Sequence, residues 1–119
     1  MWDNSHINQQ LERALKQAQV LFVNPVHMIR VYTAEPDHLV GLAEQLLADG
    51  HYAPGPTFSV DADDAEGAAE EMFDLSNNPS RVTERNVKYG WTYRSISVGD
   101  IIVVDGANFF CAPTGWVAC

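Results

Sequence analysis

Apolar residues recur at helical spacing in three parts of the chain, and this pattern predicts three helices. The first covers about residues 5–19, is capped by Asn4 or Ser5, and carries the stripe Ile7, Leu11, Ala14, Leu15 and Ala18. The second starts at Pro36, ends at Asp49-Gly50, and carries the stripe Leu39, Val40, Ala43, Leu46 and Leu47. The third is capped by Asp63 or Asp64 and ends near Asn77-Asn78-Pro79. The residues expected on its inward face are Ala65, Ala68, Ala69, Met72, Phe73 and Leu75.

The other apolar segments are rich in β-branched and aromatic residues, which favour strands. Residues 20–23 and 26–32 are expected to form one or two strands, with Pro25 at a bend or an edge. Further strands are predicted at 57–60, 101–104, 107–112 and 116–119. Asp105-Gly106 is a strong signal for a tight hairpin between residues 101–104 and 107–112. Residues 51–56 contain two prolines and a glycine and are expected to be irregular, and residues 80–93 are expected to form an exposed loop or a partly extended arm.

These elements predict one α+β domain over residues 1–119. We expect a small mixed or antiparallel sheet of about four to six strands, two or three helices on one face, and a C-terminal β-hairpin. The helix in residues 1–19 is expected to be peripheral or to form a homodimer contact. No stretch approaches the roughly 20 apolar residues of a membrane span, and the first residues do not resemble a signal peptide. The expected location is therefore the cytoplasm, with no membrane partner.

The charge is distributed unevenly along the chain. The formal net charge is −9, and residues 31–80 contain eleven carboxylates but no Lys or Arg. Residues 81–94 contain four basic residues and a single acid, Glu84. A surface dominated by carboxylates repels nucleic acid and attracts cationic partners over about a Debye length. A neutral interpretation also stands, in which the charge serves only solubility.

The charge pattern identifies two sets of candidate partner-binding residues. The acidic set lies at the start of the third helix and along its outer face, and comprises Asp63, Asp64, Glu66, Glu70, Glu71 and Asp74. The basic set is interleaved with aromatic residues, and comprises Arg81, Arg85, Lys88, Trp91 and Arg94. Such a basic set could stack on single-stranded nucleic acid, anchor a protein, or pack inside the fold with its arginines paired to the acidic helix.

No residue pattern indicates a catalytic, metal or cofactor site. The acidic run from Asp61 to Glu66 lacks the glycine and the bidentate glutamate that a calcium loop needs at fixed positions. The four histidines are isolated in sequence and the two cysteines, Cys111 and Cys119, are eight residues apart, so zinc spacing is absent. Cys111 lies in a predicted strand, where a free thiol is usually a small core residue. We therefore expect reduced thiols, no cofactor and no enzymatic activity.

The second half of the chain resembles a known group of domains. Phe73-Asp-Leu-Ser-Asn-Asn-Pro-Ser-Arg81 is followed by Tyr93-Arg-Ser-Ile-Ser-Val-Gly-Asp-Ile-Ile102, a hairpin, Phe109-Phe110 and Gly115-Trp116. This segment, about residues 70–118, resembles the YodL-like domains and related small proteins carried on plasmids, phages and integrative elements. The resemblance implies a mobile-element origin and a helix followed by a small twisted sheet. It implies no catalytic mechanism, and it does not extend to the first sixty residues.

The favoured functional interpretation is a non-catalytic, acidic protein-binding module from a phage or other mobile element. Its expected partner is a host protein with a basic surface, such as a restriction or CRISPR component, because carboxylates on a rigid surface can imitate phosphates in a DNA-binding cleft. The alternative is a nucleic-acid-binding accessory domain that uses residues 81–94. Under the favoured interpretation, the host-cell cytoplasm is where the module acts.

Overall fold

The computed structural model describes residues 15–119 and is built on a five-stranded antiparallel sheet with the strand order β2-β1-β3-β4-β5. The strands are β1 Leu15–Val23, β2 Tyr52–Asp61, β3 Ile101–Val104, β4 Ala107–Ala112 and β5 Gly115–Ala118. The helices are α1 Met28–Thr33, α2 Leu39–Ala48 and α3 Ala65–Asn77. Short 3-10 turns occupy Pro25–His27, Pro36–His38 and Pro79–Arg81, and a π-helical turn occupies Glu84–Lys88. The α+β class, the strand number and the C-terminal hairpin are as predicted.

The helices cover both faces of the sheet, so the expectation that they share one face is wrong. Along β3, Ile102 and Val104 pack into the cluster that contains α3, whereas Ile101 packs into the cluster that contains α1 and α2. Neighbouring strand residues point to opposite faces, and all three of these side chains are fully buried. β3 is therefore a central strand that is apolar on both sides, which explains its unbroken Ile-Ile-Val-Val sequence.

Helices α2 and α3 confirm the second and third predicted helices, each of which was indicated by an apolar stripe and by a residue that favours a helix start. Pro36 begins a 3-10 turn that leads into α2, where Leu39, Ala43 and Leu46 are buried. Asp64 caps α3, because its carboxylate accepts a hydrogen bond from the Gly67 N–H at 2.6 Å.

No helix within residues 15–119 is long and apolar enough to span a membrane.

The predicted helix over residues 5–19 is wrong where the structure describes it. Residues 5–14 lie outside the described residues, and Leu15 to Gln19 form the first half of β1. β1 pairs with β2 on one side and with β3 on the other, and its alternate residues Ala18, Val20 and Phe22 pack into the α3 cluster. Residues 15–19 therefore form a strand, because the hydrogen bonds of β1 to β2 and β3 outweigh the helical spacing of Leu15 and Ala18.

Residues 26–32 are helical, although their β-branched residues predicted a strand. Pro25 occupies the start of the 3-10 turn, and the Asn24 side chain accepts a hydrogen bond from the Val26 N–H at 3.3 Å. Both features favour a helix start. Ile29 projects into solvent and is 68% exposed, so its β-branched side chain gains nothing from strand packing.

Residues 52–56 belong to β2, although their prolines predicted irregular structure. Among residues 15–119, β2 pairs only with β1 and so lies at the edge of the described sheet, where Pro54 and Pro56 are tolerated because their missing N–H groups are not needed by a second described neighbour. A register shift in β1 between Gln19 and Leu21 accommodates this part of the strand. A Cβ at Gly55 would lie 2.5 Å from the Phe22 ring, so glycine is what allows β2 to approach β1 here.

The hairpin between β3 and β4 forms at the predicted residues. Val104 pairs with Ala107, which leaves Asp105 and Gly106 as the two loop residues, with φ angles of 48° and 87°. Positive φ at both positions defines the tight turn that Asp-Gly sequences favour. The loop is also tied to β1, because Asp105 N–H donates to the Gln17 carbonyl and the Asp105 carboxylate accepts from the Gln17 N–H, both at 3.0 Å.

Gly106→Val should destabilise the protein by about 1–3 kcal/mol, because a β-branched residue is strained at positive φ. No atom lies within 4 Å of a Cβ added at Gly106, so the loss would come from backbone strain and not from a clash. Gly106→Asn is the matched control, since Asn tolerates this conformation. Thermal unfolding measures both variants, and equal melting of the Val and Asn variants would contradict the assigned turn.

Candidate functional site

The first half of α3 and the turn before it carry an outward row of carboxylates, the acidic ridge, defined as Asp63, Asp64, Glu66 and Glu70. All four residues are exposed. Glu66 and Glu70 are four residues apart and therefore share one face of the helix. Within residues 15–119, none of the four forms an ion pair with Lys or Arg, since the ion pairs there involve other carboxylates. The ridge therefore presents uncompensated negative charge.

The other two acidic candidates, Glu71 and Asp74, belong to a separate group that we call the Arg81 cluster. In it, the Arg81 guanidinium contacts Glu71, Asp74 at 2.9 Å and Glu84 at 2.9 Å. The hydrogen bonds that Arg81 donates, to Glu84 first and then to Asp74 and Glu71, raise the pKa of Arg81, and Arg81 lowers the pKa of Glu84. Three carboxylates surround one cation, so Arg81 offers no positive charge to a phosphate.

Residues 80–93 form short turns that are mostly exposed, as expected, but Trp91 is buried and Arg85 is half-buried. Arg85 donates from Nη1 to the carbonyl of Ser76 at the end of α3, at 2.8 Å. Trp91 is only 8% exposed, belongs to the α3 core cluster and donates its indole N–H to the carbonyl of Tyr93 at 2.8 Å. The intramolecular alternative therefore describes these two residues, whereas Val87 between them is 80% exposed.

Arg94 is engaged by a buried carboxylate, Asp100. Its Nη1 lies 2.7 Å from Asp100 Oδ2 and its Nη2 lies 2.8 Å from Asp100 Oδ1, and its guanidinium carbon is 4.7 Å from the centre of the Phe22 ring. Asp100 has no solvent exposure and also accepts the N–H groups of Val23 and Ser97, each at 2.8 Å. A carboxylate with four donors is satisfied in the interior.

The remaining basic candidate, Lys88, is exposed, and its ammonium lies 5.3 Å from the centre of the neighbouring Tyr89 ring. Lys88 lies on the π-helical turn and forms no ion pair with a described residue. Of the predicted basic set, Lys88 and Arg85 have no carboxylate partner within residues 15–119, and Arg85 is half-buried and bonded to the Ser76 carbonyl. Two such charges do not make the electrostatic groove that single-stranded nucleic acid requires.

The turn from Arg94 to Asp100 is held by hydrogen bonds to the end of α3 and by close packing against β1. Ser95 donates its hydroxyl to the Ser76 carbonyl at 2.8 Å, and the Ile96 N–H donates to the Ser76 hydroxyl at 3.0 Å. Gly99 has a φ of 97°, and a Cβ there would lie 3.1 Å from a Val23 methyl group. Glycine adopts this positive φ without the strain that a side chain would add.

A small cavity of about 260 Å³ lies between α3 and the β4–β5 edge of the sheet. Its walls include Phe73 and Trp116, whose rings are 6.1 Å apart and almost perpendicular, and the Glu70 carboxylate at its rim. The Trp116 indole N–H donates to Glu70 Oε2 at 2.8 Å. Sequence reasoning identified Glu70 only as a surface acid, because no local signal joins it to an aromatic residue 46 positions later.

The floor of this cavity contains Cys111, which is buried, and both cysteines are free thiols. Burial, with smaller contributions from Asp100 and Glu70, raises the pKa of Cys111 to about 12. The thiol is therefore uncharged at neutral pH and is a poor nucleophile. The cavity is lined by an inert thiol, two aromatic rings and one carboxylate, a set suited to binding rather than to covalent chemistry.

Two histidines that are distant in sequence meet in the fold. The rings of His27 and His51 have centres 4.1 Å apart, and burial, His51 and Arg30 lower the pKa of His27. Across residues 15–119, no group of three or more His, Cys, Asp or Glu side chains is placed to hold a metal ion. The histidine contact is thus a packing feature of the turn beside β2.

The fold and surface together define a small α+β domain with an antiparallel sheet, one outward acidic helix and two arginines, Arg81 and Arg94, that are paired with carboxylates. No protein family matches the chain, and no curated protein or solved structure is significantly similar to it. The likeness to YodL-like domains therefore stays a prediction, and function must be inferred from the surface itself.

Arg94→Met should lower the free energy of unfolding by about 3 kcal/mol, because it leaves Asp100 as a buried and unpaired carboxylate. Urea denaturation at neutral pH measures this loss. Lys88→Met removes the same charge from an exposed site and is expected to change stability by less than about 0.5 kcal/mol. Equal unfolding midpoints for the two variants would show that Arg94 does not hold the fold together.

Proposed function

We propose that the chain is a non-catalytic protein-binding module whose acidic ridge docks on a positively charged surface of a partner protein. The observation that carries this proposal is the contrast between the two candidate sets. The ridge carboxylates face solvent without cationic partners among the described residues, whereas Arg81, Arg85, Arg94 and Trp91 are engaged within the fold.

The ridge has the physical properties of an electrostatic docking surface. Its carboxylates stand on a helix whose opposite side is buried through Ala68, Ala69 and Met72, so their positions are fixed by the core. A rigid row of like charges raises the local concentration of a basic partner and steers its approach. The Arg81 cluster extends this field, since its three carboxylates outnumber its single guanidinium.

A more specific form of the proposal is that the partner is a nucleic-acid-binding protein of the host, which the ridge inhibits by imitating a row of phosphates. The Cβ atoms of helical residues four apart are about 6 Å from each other, so Glu66 and Glu70 supply regularly spaced negative charge. The resemblance of residues 70–118 to domains carried by phages and plasmids makes a restriction or CRISPR component the partner to test first.

The test is a pull-down from host lysate with mass spectrometric identification, performed at low and high salt with three proteins. The parent is compared with a ridge variant, Asp63→Asn/Glu66→Gln/Glu70→Gln, and with a matched control, Glu35→Gln/Asp37→Asn/Glu44→Gln. The control residues are exposed and lie on or before α2, so both variants lose three charges from different faces.

The proposal predicts recovery of a basic protein with the parent and the control variant, and loss of that protein with the ridge variant or at high salt, where exposed charges are screened. Labelled single- and double-stranded DNA is tested in parallel. Sub-micromolar DNA binding that is abolished by changing Arg85 and Lys88 in a variant that still folds would contradict the proposal and favour the nucleic-acid alternative. Equal recovery with all three proteins would also contradict it.

A further inference from the structure

We propose that the cavity bounded by Glu70, Phe73 and Trp116 is an anchor site for a single lysine or arginine side chain of the partner. This inference rests on the proposed function, because it gives the acidic ridge a specific point of contact. Glu70 is the last residue of the ridge and also the rim of the cavity, so the two features are continuous.

The chemistry of the cavity suits a long cationic side chain. Phe73 and Trp116 both line the cavity and pack edge to face against each other, and aromatic rings attract both the aliphatic stem and the charged head of such a residue. The volume of about 260 Å³ is enough for one such side chain. The floor is the neutral thiol of Cys111, which adds no competing charge.

The geometry of Glu70 supports the same occupant. Its Oε2 accepts the Trp116 indole N–H at 2.8 Å, which holds the carboxylate beside the ring. Among the described residues, no hydrogen-bond donor occupies Oε1, so this oxygen is free to accept from a cation at the cavity mouth. The indole thus positions a carboxylate whose charge is uncompensated at the open end of an aromatic cavity.

This arrangement differs from an ordinary surface carboxylate. Glu66 lies one turn earlier on the same helix, is equally exposed, and does not line the cavity. Long-range attraction would act on both residues alike, whereas a cation inside the cavity would depend on Glu70 alone. Glu66 is therefore a matched control for the charge without the site.

The test uses three capped tripeptides, Gly-Lys-Gly, Gly-Arg-Gly and Gly-norleucine-Gly, titrated into the full ¹⁵N-labelled chain. The readout is the indole N–H resonance of Trp116, identified by its loss in Trp116→Phe, since the chain has only two other tryptophans, Trp2 and Trp91. The lysine and arginine peptides distinguish the two possible cationic side chains. The norleucine peptide has a lysine-like stem without the charge.

The inference predicts a saturable shift of the Trp116 resonance with at least one cationic peptide, and about tenfold weaker binding of the norleucine peptide. Glu70→Gln should lower the affinity for the cationic peptide by a similar factor, although the glutamine keeps an oxygen that can accept from the indole. Glu66→Gln should leave the affinity for the cationic peptide unchanged. Equal binding of norleucine, equal effects of the two glutamine substitutions, or the absence of a saturable shift would each overturn it.

The outcome is separable from that of the proposed function. If the cationic peptide binds through Glu70 but the ridge variant recovers the same lysate proteins as the parent, the cavity stands and the docking proposal fails. If the ridge variant loses the partner but Glu70→Gln does not change the affinity for the peptide, the docking proposal is supported and the anchor site is contradicted.

Discussion

The bidentate ion pair between Arg94 and the buried Asp100 is the interaction on which the arrangement of the other elements depends. Asp100 precedes β3, and its carboxylate accepts the N–H of Val23 at the end of β1, while Arg94 donates to the Val23 carbonyl at 3.1 Å. The pair thus fixes where two central strands meet. Removing a carboxylate from water is costly unless strong donors replace the water, and Arg94 together with two backbone N–H groups supplies them.

A second set of hydrogen bonds attaches the end of α3 to the same turn. The Ser76 carbonyl accepts from Arg85 and Ser95, and Asn77 donates to the Ile96 carbonyl at 2.9 Å. Ser95 and Asn77 therefore link α3 to the turn before β3, and Arg85 holds the π-helical turn against the end of the same helix. The consequence for function is that Arg81 and Arg94 are paired with carboxylates, whereas the ridge carboxylates have no cationic partner among the described residues, in a chain with a net charge of −9.

Local signals predicted the elements that local chemistry decides. Asp64 as a cap and Asp105-Gly106 as a hairpin were readable because a few adjacent residues determine those conformations. Leu15–Gln19 and Pro54–Pro56 were misread because their structure depends on pairing between strands that are far apart in sequence. The same limit applies to the site: the exposure of Glu66 and Glu70 follows from helical spacing, whereas the contact of Glu70 with Trp116 depends on how β5 is placed.

Amide hydrogen exchange at Val23, Ile96 and Ser97 tests the central claim, that the segment from Arg94 to Asp100 is part of the core and not a mobile basic arm. The N–H groups of Val23 and Ser97 bond to Asp100, and that of Ile96 bonds to the Ser76 hydroxyl. We expect these amides to exchange only through global unfolding, with the protection of the central β1 and β3 amides. Exchange by a much easier local opening would contradict the account, because it would release Arg94 and its neighbours to bind an external phosphate.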